Sequence, residues 1–246
     1  MKSFFQIKNI TNTLFFSFSF STLLFLFFLS SYFANAQEEI ITIVPGSSDP
    51  TRYRFFDITE YPISTGKEIQ WYNADNIIHN IIVTSSNGGI IVAQSAEIKP
   101  KEFFSYKFDK EGEYIFQSAN YNWMKGKIVV TDDIKTIKES MKNDTDLYIS
   151  WTPSYITQGE KIIFKIIFVD KKSERNHEHI DYSFTIQNST SDTVLYKNAV
   201  THSAWGLEPA SYKFDSSGIF IGKLRIEGIL FQPIEPDNTE FEIQVK

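Results

Sequence analysis

From Ile40 to Val130 the apolar residues fall in short runs: IITIV, YRFFDI, EIQWYN, IIHNIIVT, GIIVA, FFSYKF, GEYIFQ and GKIVV. Pro45-Gly46, Asn87-Gly88-Gly89, Lys99-Pro100 and Glu111-Gly112 lie between them. Short runs rich in Ile, Val, Phe and Tyr and punctuated by turn residues predict the strands of an all-β sandwich or barrel. No long stretch shows helical periodicity. Thr131 to Asp146 is polar and charged, with Ile134, Ile137 and Met141 at spacings of three and four. That spacing predicts one side of a short helix, and residues 132–146 read as a linker.

The strand pattern resumes at Leu147. KIIFKIIFV (Lys161 to Val169) places Phe164, Ile166 and Phe168 on one face, and Tyr182, Phe184 and Ile186 alternate with Ser183, Thr185 and Gln187. Phe220, Gly222, Leu224 and Ile226 alternate with Lys223, Arg225 and Glu227, as in a strand with one solvated face. With LYISW, TVLYKN, SYKF and TEFEIQV, this makes about seven strands in roughly 100 residues, the expectation for an immunoglobulin-like β-sandwich. The expected organisation is one sandwich over 37–131 and a second over 147–246.

The first residues follow a different rule. Lys2 and Lys8 precede an apolar run from Leu14 to Leu29, and Ala34-Asn35-Ala36 supplies a small-x-small pattern. This reads as a secretory signal peptide over 1–36, cleaved after Ala36 to leave Gln37 first. An uncleaved anchor is the alternative, since the run approaches the roughly 20 residues that span a bilayer. No later run is apolar for long enough, so no membrane span is expected in the mature chain. The expected location is secreted or at the extracytoplasmic cell surface.

Composition narrows the chemistry. The chain has 246 residues, 42% of them hydrophobic, with 23 Phe and 12 Tyr, enough for two cores. The net charge of -6, with Lys and Arg scattered singly, leaves no basic stripe for phosphates and argues against nucleic acid. Cysteine is absent, which removes thiolate nucleophiles, iron-sulfur clusters and the sulfur ligand of blue copper. Asp132-Asp133 lies in the polar linker, where nothing desolvates it, and no nucleophile elbow, phosphate loop or zinc-protease helix is present. No enzymatic activity is expected.

Two segments carry a resemblance to a known family. GKEIQWYNADNIIHNIIV (Gly66 to Val83) and FFSYKFDKEGEYIFQSANYNWMKGKIVV (Phe103 to Val130) are similar to the cupredoxins, the plastocyanin and amicyanin family of blue-copper electron carriers. The resemblance covers residues 40 to 131 and implies a Greek-key β-sandwich. It also implies His79 as the first copper ligand and Met124 as the axial thioether, followed by the family's glycine at Gly126. Ser118 stands where the family has its cysteine and Tyr121 where it has its second histidine. A type 1 site needs two imidazoles and a thiolate with a weak axial thioether, so the resemblance implies a degenerate site. His79 then reads either as a remnant ligand or as a buried, hydrogen-bonded histidine, with Met124 as an apolar plug. Tyr121 and Trp123, with Asn120 and Asn122, read either as a surface for a partner or sugar or as loop packing.

The remaining histidines lie in the second half. If the strand containing Tyr182 extends back to Asn176, then His177, His179 and Asp181 share one face and Ile180 and Tyr182 face the core. Two imidazoles and a carboxylate, with His202 as a third imidazole, are an open site for Cu(II) or Zn(II), or else a solvated polar face. Residues 147–246 also resemble an immunoglobulin-like module attached to cupredoxin-like domains in exported archaeal proteins, through His179-Ile180-Asp181-Tyr182, the later His202 and the Gly228-Ile229 turn. Asn143-Asp144-Thr145 and Asn188-Ser189-Thr190 are glycosylation sequons. The leading expectation is an exported binding or structural module without a cofactor, acting on an unidentified protein or cell-surface partner. Copper binding or electron transfer at a non-thiolate histidine site is the alternative.

Overall fold

The computed structural model describes residues 39–191 and 193–246. The expected leader, its cleavage site and the N-terminus at Gln37 lie outside them. The described residues contain strands and no helix, so the all-β expectation holds. None of them forms a helix long and apolar enough to cross a membrane.

The first sandwich packs two sheets. One consists of β1 (Ile40–Ile43), β3 (Lys67–Asn73) and β6 (Phe103–Phe108), in that order. The other runs β2 (Glu60–Ile63), β8 (Lys125–Val130), β7 (Gly112–Ser118), β4 (Ile81–Ser85), β5 (Ile91–Gln94). β1 pairs parallel with β3 and β2 parallel with β8, while the other pairings are antiparallel. Alternation places Ile69 and Trp71 of β3 and Tyr114 and Phe116 of β7 inward, where Trp71 and Phe116 meet at 5.6 Å. Of the predicted runs, YRFFDI forms no strand. Only Phe56 bridges to Ile43, and its ring fills the core against Phe116.

The second sandwich opposes β15 (Leu207–Lys213), β11 (Lys161–Asp170), β10 (Thr145–Thr152) and β9 (Lys135–Ser140) to β13 (Val194–Lys197), β12 (Ile180–Asn188), β16 (Gly218–Ile229) and β17 (Gln232–Val245), with β14 (Thr201–Ser203) also on β12. The polar stretch over 132–146 corrects the helical expectation. Residues 135–140 are the edge strand β9, antiparallel to β10. Ile137 and Met141 turn inward with Glu139 between them, so a four-residue apolar spacing came from a two-residue period interrupted by one glutamate.

Residues 37–246 form one compact unit, and β11 shows why. Phe164, Ile166 and Phe168 enter the second core, as their alternation predicted, while Ile167 and Val169, on the opposite face, belong with Leu207 to the core of the first sandwich. The run KIIFKIIFV is apolar on both faces because both faces are covered. Lys165 shares that second face. Its ammonium lies 2.9 Å from Glu39 Oε1, and both side chains are under one-tenth exposed. The Tyr61 hydroxyl donates to the other Glu39 oxygen. Trp205 Nε1 donates to Thr42 Oγ1 at 2.7 Å and its ring meets Tyr72 at 5.3 Å.

Candidate functional site

The end of the first sandwich that carries His79 is built from one turn and one loop. In the turn after β3, the Asn73 amide donates to the carbonyls of Ile77 and Ile98, and its Oδ1 accepts from Asp75 N. This aims the Asp75 carboxylate inward, where it accepts from Gly46 N at 2.9 Å, Asn76 N at 2.8 Å and His79 Nε2–H at 2.9 Å. Burial raises the Asp75 carboxyl, but these donors and the imidazole outweigh it and hold it below the ordinary value. The His79 ring is wholly buried. Its Nδ1 is buried too and has no hydrogen-bond partner.

The loop from Ser118 to Met124 closes on itself. Met124 N donates to Tyr121 O at 3.0 Å, Ser118 N donates to Met124 O at 3.1 Å, and Ser118 Oγ accepts from Asn120 N and Tyr121 N. Met124 is wholly buried. Tyr121 sits edge-on to His79 at 5.6 Å, and Trp123 packs on Tyr121 and donates from Nε1 to Ser47 O at 3.2 Å. Both rings are half-buried against the core, while Asn120 and Asn122 remain exposed. At the four ligand positions the chain supplies one unpaired imidazole nitrogen, one thioether, one serine hydroxyl that already accepts two N–H groups and one phenol. A type 1 copper site needs a thiolate and a second imidazole, and this donor set does not fit it.

The histidines of the second sandwich separate into two places. β12 begins at Ile180, not at Asn176, and His179 has φ +55°, so the alternation that put His177, His179 and Asp181 on one face is broken. Ile180 and Tyr182 do enter the core. His177 turns to Thr145, with 3.1 Å between Nδ1 and the hydroxyl. The hydroxyl proton goes to Asn143 O, so His177 Nδ1 carries the hydrogen. Burial pushes this imidazole below its ordinary value, against the pull of Asp170.

Asp181, His202 and His179 do meet, because β14 pairs Asp181 opposite His202. His202 Nδ1–H donates to Asp181 Oδ1 at 2.7 Å, which leaves His202 Nε2 as acceptor for His179 Nδ1–H at 3.2 Å. The two rings lie 5.4 Å apart at 25° to one another, and their facing nitrogens are joined by this hydrogen bond. Chelation requires lone pairs that converge on a third point, whereas these nitrogens and the Asp181 carboxylate are engaged with one another in a hydrogen-bonded chain. Among the described residues no three His, Asp or Glu side chains are placed to hold a metal ion. Phe231 covers both rings, at 4.1 and 5.3 Å. It lies with Leu230 at a hairpin tip where both residues have positive φ and are more than half exposed.

Other groups carried no signal in the sequence. Between the sandwiches lies a cleft of about 260 Å³ lined by Arg54, Asp57, Glu60, Glu208 and Ser211 among others. Burial pushes the Asp57 carboxyl up to about 6. Burial and the neighbouring Asp57 push Glu208 up to about 8. Glu39, Tyr61 and Lys165 likewise gain their roles only through contacts between distant segments. Asp75 was within reach of sequence reasoning, four residues before His79 in the same turn.

No family model matches the chain, and no curated protein does. Among solved structures, a purple cupredoxin from Nitrosopumilus maritimus is 27% identical over 38% of this chain and 100% of its own, with a TM-score of 0.36. A methionine-to-alanine variant of amicyanin with Cu(I) is 18% identical over 38% of this chain and 82% of its own, with a TM-score of 0.32. A second such variant covers 42% of this chain and 89% of its own at the same identity and TM-score.

Proposed function

We propose that the chain is an exported, non-enzymatic binding or structural module of the cell surface, with a cupredoxin-like first sandwich that has lost type 1 copper chemistry and an immunoglobulin-like second sandwich. The observation that carries this reading is the closed Ser118–Met124 loop. Ser118 Oγ caps two backbone N–H groups where the family has its thiolate, and Tyr121 packs on His79 where the family has its second imidazole. The two sandwiches share side chains through β11, which suits a rigid presenting body better than an electron carrier that meets its partners through an open metal end.

One observation favours the second reading, copper held without a thiolate. The buried His79 Nδ1 has no partner, and an unsatisfied buried nitrogen is uncommon enough to need a reason. Copper titration followed by absorption and electron paramagnetic resonance separates the two. The native chain is expected to show no intense visible band. Ser118→Cys with Tyr121→His restores the family set around His79 and Met124 and is expected to create one. A folded double variant that stays colourless with copper refutes the placement of the loop. Stoichiometric copper on the native chain, lost in His79→Ala, establishes the second reading.

A further inference from the structure

The two glycosylation sequons have opposite fates in the fold. In Asn143-Asp144-Thr145, the asparagine Nδ2 donates to Asp237 Oδ2 at 3.3 Å, and its backbone N donates to the same oxygen at 3.1 Å. Thr145 is wholly buried, its hydroxyl held between Asn143 O and His177. The hydroxyl that defines the motif is buried, and the half-buried amide nitrogen is tied to Asp237.

Asn188-Ser189-Thr190 turns outward between β12 and β13, with Ser189 and Thr190 exposed. Asn188 Oδ1 accepts three hydrogen bonds, from Thr190 N at 2.9 Å, Thr190 Oγ1 at 2.7 Å and Ser191 N at 3.1 Å. With all three donors on the oxygen, the other amide atom is fixed as nitrogen. That Nδ2 makes no hydrogen bond among the described residues. The arrangement resembles an oxyanion hole in its effect, because donors on a carboxamide oxygen stabilise the charge that collects there when an N–H proton leaves. The amide nitrogen, a poor nucleophile in its resting state, is thereby prepared to lose a proton and attack.

We propose that Asn188 is an acceptor for an N-linked oligosaccharide in the folded protein and that Asn143 is closed to it. The donor is a polyprenyl-diphosphate-linked oligosaccharide. Asn188 Nδ2 forms the bond to the anomeric carbon, the bond from that carbon to the diphosphate oxygen breaks, polyprenyl diphosphate leaves with the electron pair, and the Nδ2 proton passes to a base of the transferring enzyme. The position has a use beyond the attachment itself. β13 is the outermost strand of its sheet and exposes Val194 and Leu195. A bulky, hydrated chain on the adjoining turn shields an apolar edge of the kind that otherwise pairs with other molecules.

The proposal rests on the export reading, since such donors are used outside the cytoplasm, so the test is made where export plays no part. Purified full chain, folded, is incubated with an oligosaccharyltransferase and its lipid-linked donor, then digested and mapped by mass spectrometry. The Asn188 peptide is expected to carry the glycan at least about tenfold above the Asn143 peptide, the factor that one hydrogen bond to a charged group is worth. Asn188→Gln and Thr190→Ala each abolish the signal. The same assay on urea-unfolded chain, diluted into enzyme, is expected to bring the two sequons to parity, because only the fold distinguishes them. Equal occupancy in the folded chain, a preference that survives unfolding, or absence of glycan on folded Asn188 overturns the proposal. N-terminal sequencing of protein from its native host tests export independently.

Discussion

Glu208 offers the sharpest test of the junction between the sandwiches. Its carboxyl is pushed from 4.5 up to about 8 by burial and by Asp57, which is itself pushed from 3.8 up to about 6. Arg54 pulls both down, Ser203 hydrogen-bonds Glu208, and Tyr61 and Tyr182 also feel its charge. A carboxyl whose folded value is raised binds more protons in the folded chain than in the unfolded one. Its contribution to stability is therefore complete below about 4.5 and is lost as pH rises through about 8. Each pH unit of that window is worth about 1.4 kcal/mol, which sets a ceiling near 5 kcal/mol; coupling to Asp57 and access of water to the cleft reduce it to about 2 kcal/mol. Glu208→Gln mimics the protonated acid at every pH. It is expected to leave stability nearly unchanged at about pH 4, below the window, and to raise it by about 2 kcal/mol at about pH 8.5, or about 4–8 °C in Tm for a protein of this size. Urea unfolding at the two pH values measures the difference directly. Loss of stability at pH 8.5, or a difference that does not change with pH, refutes the reasoning.

Lys165→Met leaves Glu39 buried without its cation, and unfolding by urea should show a loss of about 3–5 kcal/mol; Glu39→Gln added to it should recover part of that loss, and strict additivity would mean the two do not interact. Gly126→Ala places a methyl carbon 2.1 Å from Phe116 Cζ, with Phe56 and Trp71 blocking the ring's retreat. It should destabilise by about 1–3 kcal/mol, and Phe116→Leu in the same chain should restore part of it, whereas a neutral Gly126→Ala would show that β7 and β8 are not packed as described.

The strands were legible because their alternation is local. Tyr182, Phe184 and Ile186 went where the two-residue period sent them. β9 was misread because Glu139 occupies a position between Ile137 and Met141, and an apolar pair four residues apart fits a helix as well as a strand. The His177–Asp181 face failed at one backbone angle, the positive φ of His179, which no pattern of residue types announces. The chain from Asp181 through His202 to His179 depends on β14 returning to β12, and the Asp57 and Glu208 pair on the approach of two sandwiches. Such contacts are set by tertiary structure, and composition or spacing carries no trace of them. The absence of cysteine could be read directly, because an absent side chain needs no fold to interpret it.

The shared core has a consequence for the order in which the chain is made. Strands β1 to β8 leave the ribosome first, yet their core is completed by Ile167, Val169 and Leu207, and Glu39 waits for Lys165. Leu207 follows Val130 by roughly 80 residues, which at synthesis rates of about 5–20 residues per second is a delay of about 4–16 s. During that interval Glu39 has Tyr61 but not its cation, and the apolar face that β11 and Leu207 later cover stays exposed.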